Sequence, residues 1–268
     1  MYNVTPRHAA WWHALLRDTV AHYLQRRGER RVTLMDSPGG ELMPHWRSRN
    51  LLLSQTCGFP YRMLGLEHDV HLIATPQFDA PGCEGARYRS VLVVSERAWR
   101  NGATSLEACR GLRAACNSAD SHSGMNALRH VVAPLISPAC EGRFFASVTW
   151  TGSHAATLRA LAAHNADIGA IDCVTYALLR DANDETLRRV REIGMSTDAP
   201  GLPLIAARSL DDSDAEALRE ALDAACAADA QRARALRLRG FARLVPDAYA
   251  DIEAIAHTAR GHGYPELR

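Results

Sequence analysis

The sequence has no apolar run of the roughly 20 residues that a membrane-crossing helix needs. No insertion into a membrane is expected. It has almost no imbalance of charge: 31 Lys and Arg against 30 Asp and Glu leave a formal net charge of +1. That excludes the basic balance of a nucleic-acid or anionic-surface binder. Its seven cysteines, at 57, 83, 109, 116, 140, 173 and 226, include no C-x-x-C pair and no Cys/His cluster with zinc spacing, so no metal is expected. An odd number of cysteines in so long a chain reads as buried small hydrophobes. The G-x-S-x-G elbow, the G-x-x-x-x-G-K-[ST] phosphate loop and a G-x-G-x-x-G after a strand are all missing, and no cofactor is expected. The opening stretch "MYNVTPRHAAWWHALL" carries no basic region followed by an apolar one, so no export signal is read there. As written, the chain reads as cytoplasmic.

What is present is the composition of a globular protein with a real core, 47% hydrophobic and 23% charged. Thr5-Pro6 reads as a helix N-cap followed by proline at the first helical position, with Trp12, Leu16, Val20 and Leu24 at helical spacing before Gly28. Strand-like runs follow: "RVTLMD", "NLLLSQ", "VHLIATP", "YRSVLVVSE", "GLRAACNS", "FFASVTW", "ADIGAIDC", "REIGMS" and "LPLIAARS". Helical patterns separate them. One covers 154–163 behind Ser153, and another covers 214–227 with a capping box from Ser213 to Glu216. The tail from 228 to 260 reads as one or two further helices, broken near Gly240 and Pro246. Alternating strands and helices predict an α/β protein with mostly parallel sheets. "YRSVLVVSE" and "PGLPLIAARS" are long enough to cross between two lobes.

In open α/β sheets, ligands bind beyond the carboxyl ends of strands. Those positions hold Ser54, Gln55, Thr56, Cys57 and Gly58; then "NSADSHSGMNALR" at 117–129; then Thr151, Gly152, Ser153 and His154; then Asp172. A helix N-terminus leaves backbone N–H groups unsatisfied and carries partial positive charge, while Ser adds donors and Gly allows close approach. Ser121, His122, Ser123, Gly124 and Asn126 at one such terminus, with Ser153 and His154 at another, suit a phosphate-like oxyanion. Each taken singly also reads as an ordinary cap, turn or surface residue. Cys57 as nucleophile with His154 as base and Asp172 nearby is the enzymatic alternative.

Taken together, "LLLSQTCGFP", "TPQFDAPGCEGARYRSVLVV", "NSADSHSGMNALR" and "TGSHAATLRALAAHNADIGAIDC" resemble the phosphate/phosphite/phosphonate-type substrate-binding proteins of ABC importers, in order from about residue 50 to about 208. The resemblance implies a two-lobed type II periplasmic-binding-protein fold. Each lobe would be a mostly parallel sheet flanked by helices, with two crossing strands between them. Lobe I would hold 1–88 plus 203–268 and lobe II 89–202. It implies a solute-binding component, not an enzyme, that holds a small oxyanion in the cleft between lobes and serves an ABC permease. A cytosolic enzyme or anion sensor on the same fold, acting on a small phosphorylated or carboxylated metabolite, is the alternative.

Carried over by position, the anion loop falls on Ser121, His122, Ser123 and Gly124, the hinge tyrosine on Tyr88, and the second helix mouth on His154. The lobe I contacts fall on Ser54, Gln55, Thr56 and Tyr2. Acids that meet the ammonium group of aminophosphonates in relatives are replaced here by Leu202 and, near the end of a strand, Thr175. An aminoalkyl phosphonate is therefore not expected unless Asp172 takes over. His122 inside the loop is unusual for the family. Relatives begin with an export signal and a first strand, so the resemblance implies a start upstream of Met1 and a periplasmic location. In such an exported form Cys57 and Cys83 are candidates for a disulfide.

Overall fold

The computed structural model describes residues 2–136 and 142–268; Cys140 lies outside the described residues. The chain divides into two compact units. The first holds Met1–Asp79, Cys83–Arg87 and Pro200–Ala250, and the second holds Ala80–Gly82, Tyr88–Ala199 and Asp251–Arg268.

In the first unit, helix α1 (Pro6–Arg27) starts where Thr5 Oγ1 accepts the His8 N–H and stops at Gly28, as the sequence predicts. Short helix α2 (Leu42–Trp46), strand β1 (Ser54–Gln55), helix α3 (Gly58–Met63) and strand β2 (Val70–Phe78) follow. Strand β3 (Arg87–Tyr88) carries the chain into the second unit. There lie β4 (Ser90–Ser95), α4 (Glu96–Arg100), β5 (Arg113–Cys116), α5 (Ala127–Val132), β6 (Ser147–Trp150), α6 (His154–Ala162), β7 (Ile168–Asp172), α7 (Cys173–Asp181) and β8 (Val190–Met195). Strand β9 (Ala199–Pro200), which pairs with β3, returns the chain to β10 (Leu204–Ala207), α8 (Asp212–Ala228), α9 (Ala230–Ala235) and β11 (Leu238–Ala242) of the first unit. Helix α10 (Ala250–Gly261) opens the last segment.

The first unit's sheet has the order β1-β10-β2-β11, with antiparallel pairing throughout. The second unit's sheet is β6-β5-β7-β4-β8. In it β5 runs parallel to β6 and β7, while β4 is antiparallel to β7 and β8. The expected parallel pairing is therefore confined to β6, β5 and β7 of the second unit, and the strands around it are mixed.

One core of the first unit joins Tyr23 of α1, Ile73 and Ala74 of β2, Leu204 and Ala206 of β10, and Leu218, Ala221 and Leu222 of α8. A buried ion network covers its edge. The Tyr23 hydroxyl donates to Asp214 Oδ1 at 2.7 Å, and Arg27 Nε donates to the same oxygen at 2.8 Å. Burial works against the Asp214 charge, yet those donors hold its carboxyl below the ordinary range.

Four local readings differ from the structure. The run "RVTLMD" joins no ladder, and of "NLLLSQ" only Ser54–Gln55 pairs. Between these stretches and α1 lies a cavity of about 470 Å³, lined by Trp12, Leu16, Val32, Leu34, Leu51 and Leu53 among others. Helix α8 is capped by Asp211, which accepts the Asp214 N–H at 2.6 Å, and not by Ser213; Glu216 turns instead to Arg219 and Arg243. A carboxylate is the stronger partner for the positive end of a helix.

The tail contains strand β11 where helix was expected, because "LRLRGFA" alternates with period 2 and so pairs with β2. Residues 251–268 group with the second unit and not with 203–250. They are tied there by Asn126 Nδ2 donating to the Ile252 carbonyl and by the Phe144 N–H donating to the Arg268 carbonyl at 2.7 Å.

Cys57 and Cys83 are thiols, not a disulfide. Cys57 precedes α3, whose Tyr61 meets Tyr249 edge-on. Cys83 belongs to a separate turn closed by reciprocal Glu84–Arg87 backbone bonds. Cys109, Cys116 and Cys173 are buried, as small hydrophobes would be.

Candidate anion-binding loops

The parallel alignment of β5, β6 and β7 brings their carboxyl ends to one edge of the second unit's sheet. Ser121–Asn126, Ser153–His154 and Asp172 follow those three ends. Main-chain bonds tie the first two loops together. Thr151 N–H donates to the Cys116 carbonyl and Gly152 N–H to the Asn117 carbonyl, both at 2.8 Å.

The segment Ser121–Asn126 forms a single wide turn before α5. The Asn126 N–H reaches back five residues to the Ser121 carbonyl at 3.0 Å. Wide turns of this kind open a helix at its mouth and recur at functional sites. Ser121 caps the turn, its Oγ accepting the Gly124 N–H at 3.0 Å. That leaves the Ser121 O–H as a donor. Gly124 is dictated by space, since a Cβ there would lie 1.8 Å from Asn117 Oδ1. Asn117 Oδ1 is buried with no hydrogen-bond partner among the described residues.

His122 is 2% exposed. Burial, reinforced by the charge of His130, pushes its pKa down to about 3, so it is neutral at physiological pH. Its tautomer follows from a chain of donors. Arg129 Nη2 donates to Asn126 Oδ1 at 2.8 Å, which turns the Asn126 NH₂ toward the Ile252 carbonyl and toward His122 Nδ1, each at 3.2 Å. Nδ1 thus accepts, and the proton sits on Nε2. Tyr88 lies beside the ring, with centroids 6.1 Å apart.

Ser123 meets the neighbouring loop directly, its Oγ lying 2.8 Å from His154 Nε2. Its carbonyl accepts the Ser90 O–H at 2.7 Å, and the Ser90 N–H in turn donates to Ser196 Oγ. His154 as a whole residue is half-buried, yet its Nδ1 is fully enclosed. Desolvation pushes the pKa of His154 down to about 4, opposed by the backbone of Ala170. Ser153 is exposed and spends its hydroxyl capping α6, accepting the Ala156 N–H at 3.2 Å. Asp172 is buried, and its Oδ1 accepts the Val174 and Thr175 N–H groups at 2.8 and 3.0 Å. This carboxylate holds the start of α7.

The first-unit candidates are engaged with their own backbone. Gln55 Nε2 donates to the Leu202 carbonyl at 3.2 Å, while its Oε1 is buried and unpartnered among the described residues. Thr56 donates its N–H to the Pro203 carbonyl, and its hydroxyl turns to Cys57 O. Ser54 pairs with Ile205, and Tyr2 packs edge-on against Phe78 with centroids 5.0 Å apart. The residue types read as site residues at the ends of β5, β6 and β7 thus come together. Ser90, Ser196 and Arg129 do not stand out in the sequence as site residues, whereas Asn117 belongs to the loop read there. A serine inside the otherwise apolar "YRSVLVV", and an arginine three residues after Asn126 on an apolar helix, are the visible signals.

The model of the ABC-transporter phosphonate family, periplasmic substrate-binding proteins, matches residues 17–251. The chain belongs to this family. Members of the phosphonate-binding family are transporter components, not enzymes. No curated protein matches the chain.

Among solved structures, the binding-protein component of an ABC phosphonate transporter, PA3383 from Pseudomonas aeruginosa, aligns at a TM-score of 0.72 with 18% identity, over 95% of this chain and 82% of that one. PhnD1 from Prochlorococcus marinus, in complex with methylphosphonate, aligns at 0.68 with 15% identity over 92% and 93%. XAC2383 from Xanthomonas citri, bound to ATP, aligns at 0.65 with 18% identity over 95% of each chain. At these identities the likeness establishes the fold, a two-lobed α/β binding-protein architecture. Among the described residues, no helix is long and apolar enough to cross a membrane.

Proposed function

We propose that this chain is the solute-binding component of an ABC importer for a small tetrahedral phosphorus oxyanion, working in the periplasm with an ABC permease. The observation that carries the reading is the Ser123–His154 hydrogen bond, which joins the loops after β5 and β6 into one polar surface at a buried helix mouth. Ser121, His122 and Ser123 are the proposed ligand contacts, with His154 behind them. Gly124 and Asn126 shape the loop, and Tyr88 flanks it.

The ligand is not an aminoalkyl phosphonate. Leu202 and Thr175 carry no charge, and Asp172 is committed to two backbone N–H groups of α7. An ammonium group enclosed without a counter-charge is costly. The ligands named for PhnD1 and XAC2383, methylphosphonate and ATP, are both phosphorus oxyanions, which supports the ligand class.

Thermal shift with methylphosphonate, phosphite, phosphate, aminoethylphosphonate and ATP tests this. A ligand present at 100 times its Kd stabilises by about 2.7 kcal/mol, a readily measured rise in Tm. Methylphosphonate, phosphite or phosphate should give that rise and aminoethylphosphonate none. No shift with any phosphorus oxyanion overturns the reading.

A further inference from the structure

Arg129 lies on α5 and is 4% exposed. Its terminal nitrogens meet neutral acceptors. Nη1 donates to the Pro265 carbonyl, and Nη2 donates to Asn126 Oδ1 at 2.8 Å. Nε is enclosed with no hydrogen-bond partner among the described residues. A guanidinium stays protonated inside a protein. Burial pulls the Arg129 pKa below the ordinary 12.5, the charge of Arg260 adds to this, and Tyr264 opposes it. No carboxylate is among the groups that act on it.

Other arginines at the core are treated differently. Arg232, 2% exposed, pairs with Asp18. Arg27 and Arg30 gather at Asp214, and Arg113 and Arg97 at Asp167. Among the described residues, Arg129 makes no such ion pair. A buried charge without a counter-charge is costly. The fold keeps that cost beside the turn proposed to hold an oxyanion.

Asn126 is the connection. Its N–H donates to the Ser121 carbonyl at 3.0 Å, its amide nitrogen donates to His122 Nδ1 at 3.2 Å, and its Oδ1 accepts from Arg129. Arg129 therefore stands two hydrogen bonds behind His122 and fixes which way the Asn126 amide faces. The turn itself is uncharged, since its serines carry no charge and burial keeps His122 neutral. The positive charge comes from behind it.

We infer that Arg129 is a positioning residue whose counter-charge is the ligand: through Asn126 it holds the turn, and from behind the turn its charge favours a doubly charged oxyanion over a singly charged one. This rests on the proposed oxyanion role of the turn and specifies the source of its positive charge. Coulomb attraction scales with the ligand's charge, whereas a hydroxyl donor needs only an oxygen to meet. The attraction of a buried charge is screened by salt much less than that of an exposed one. The same charge repels an ammonium group.

The test is calorimetric titration of the whole protein above the second ionisation of methylphosphonate. Methylphosphonate then carries two charges, and dimethylphosphinate, its tetrahedral analogue, carries one. The readout is the ratio of the two affinities. Arg129→Gln should weaken methylphosphonate binding and lower the ratio by about fivefold or more. Arg129→Lys keeps the charge and should keep the wild-type ratio. Equal losses for both ligands in Arg129→Gln, or the same fall in ratio in Arg129→Lys, overturn the inference, because a purely structural role gives those results.

A second variant covers the case in which Arg129→Gln does not fold. Asn126→Asp sets a carboxylate of nearly the same shape against the guanidinium and neutralises it without removing it. The ratio should fall here too, and an unchanged ratio overturns the inference. Failure of the wild-type protein to bind either ligand overturns the oxyanion role itself, a distinct result.

Discussion

Gly124 and Asn117 touch so closely that a methyl group on the glycine would lie 1.8 Å from Asn117 Oδ1 and 2.9 Å from its Cγ. The glycine is required by this approach, not by an unusual backbone angle, because Gly124 is not among the residues with positive φ. The approach matters because the Gly124 N–H is the group that holds Ser121 in its capping position.

The first prediction follows. Gly124→Ala forces the Asn117 side chain or the turn to move. Overpacking of this kind costs about 1–3 kcal/mol, and the displaced turn should lose at least tenfold in methylphosphonate affinity. The double variant Gly124→Ala with Asn117→Ala opens the space again and should recover much of the stability. Calorimetry and thermal melts measure both. A single variant that binds like wild type shows the turn is not needed in this form.

The second prediction concerns acid. His122 and His154 are buried neutral, with folded values of about 3 and 4 against an ordinary 6.5. Below 6.5 the unfolded chain binds protons that the folded chain refuses, so stability is full above that value and falls as the pH drops toward 4. For each histidine the loss is at most about 1.4 kcal/mol for every pH unit below 6.5. His122→Gln removes one of these refusals. Its Tm should therefore change less between pH 7 and pH 5 than that of the wild type, as followed by circular dichroism. Equal slopes for the two proteins would show that His122 protonates without cost in the fold.

The third prediction separates the scaffold from the loops. Asp167 lies just before β7, away from that strand's carboxyl end. It accepts from Arg113 Nε at 2.9 Å, from the Arg113 N–H at 3.1 Å and from Arg97 at 3.2 Å. The Arg113 hydrogen bond, opposed by burial, holds its carboxyl below the ordinary 3.8. Its contribution is present above 3.8 and is lost as the pH falls below that value. Both arginines are more than a third exposed, so solvent screens the pair. Asp167→Asn should cost about 1–2 kcal/mol near neutral pH. The gap to wild type should close in stronger acid, and methylphosphonate affinity should not change. A loss of affinity as large as that of Gly124→Ala would assign Asp167 to the binding apparatus.

Much of the fold was legible because its signals are local. Thr5-Pro6 and Gly28 bracket α1, Ser153 opens α6, and the apolar "VLVV" marks a strand covered on both faces. The misreadings share a cause. "RVTLMD" has strand composition, but a strand exists only where a partner edge accepts it. "LRLRGFA" sits among helical patterns in the sequence, although its alternation matches the neighbouring edge of β2. The choice of Asp211 over Ser213 as the cap of α8 depends on Arg27 and Tyr23, which gather at Asp214 from a helix almost 200 residues earlier.

By itself the sequence determined the residue types of the loops, since hydroxyls, glycine and histidine after strand ends have few uses other than capping and anion contact. Their hydrogens were decided by the tertiary structure alone. Whether His122 or His154 is charged depends on burial, and which nitrogen of His122 carries the proton depends on Asn126 and Arg129. Ser123 reads as an open hydroxyl in sequence and is engaged in the fold because His154, 31 positions away, lies within hydrogen-bond distance of its Oγ. Hydrogen bonds are directional and exclusive, so a polar residue's role is set by whichever partner the fold places within reach.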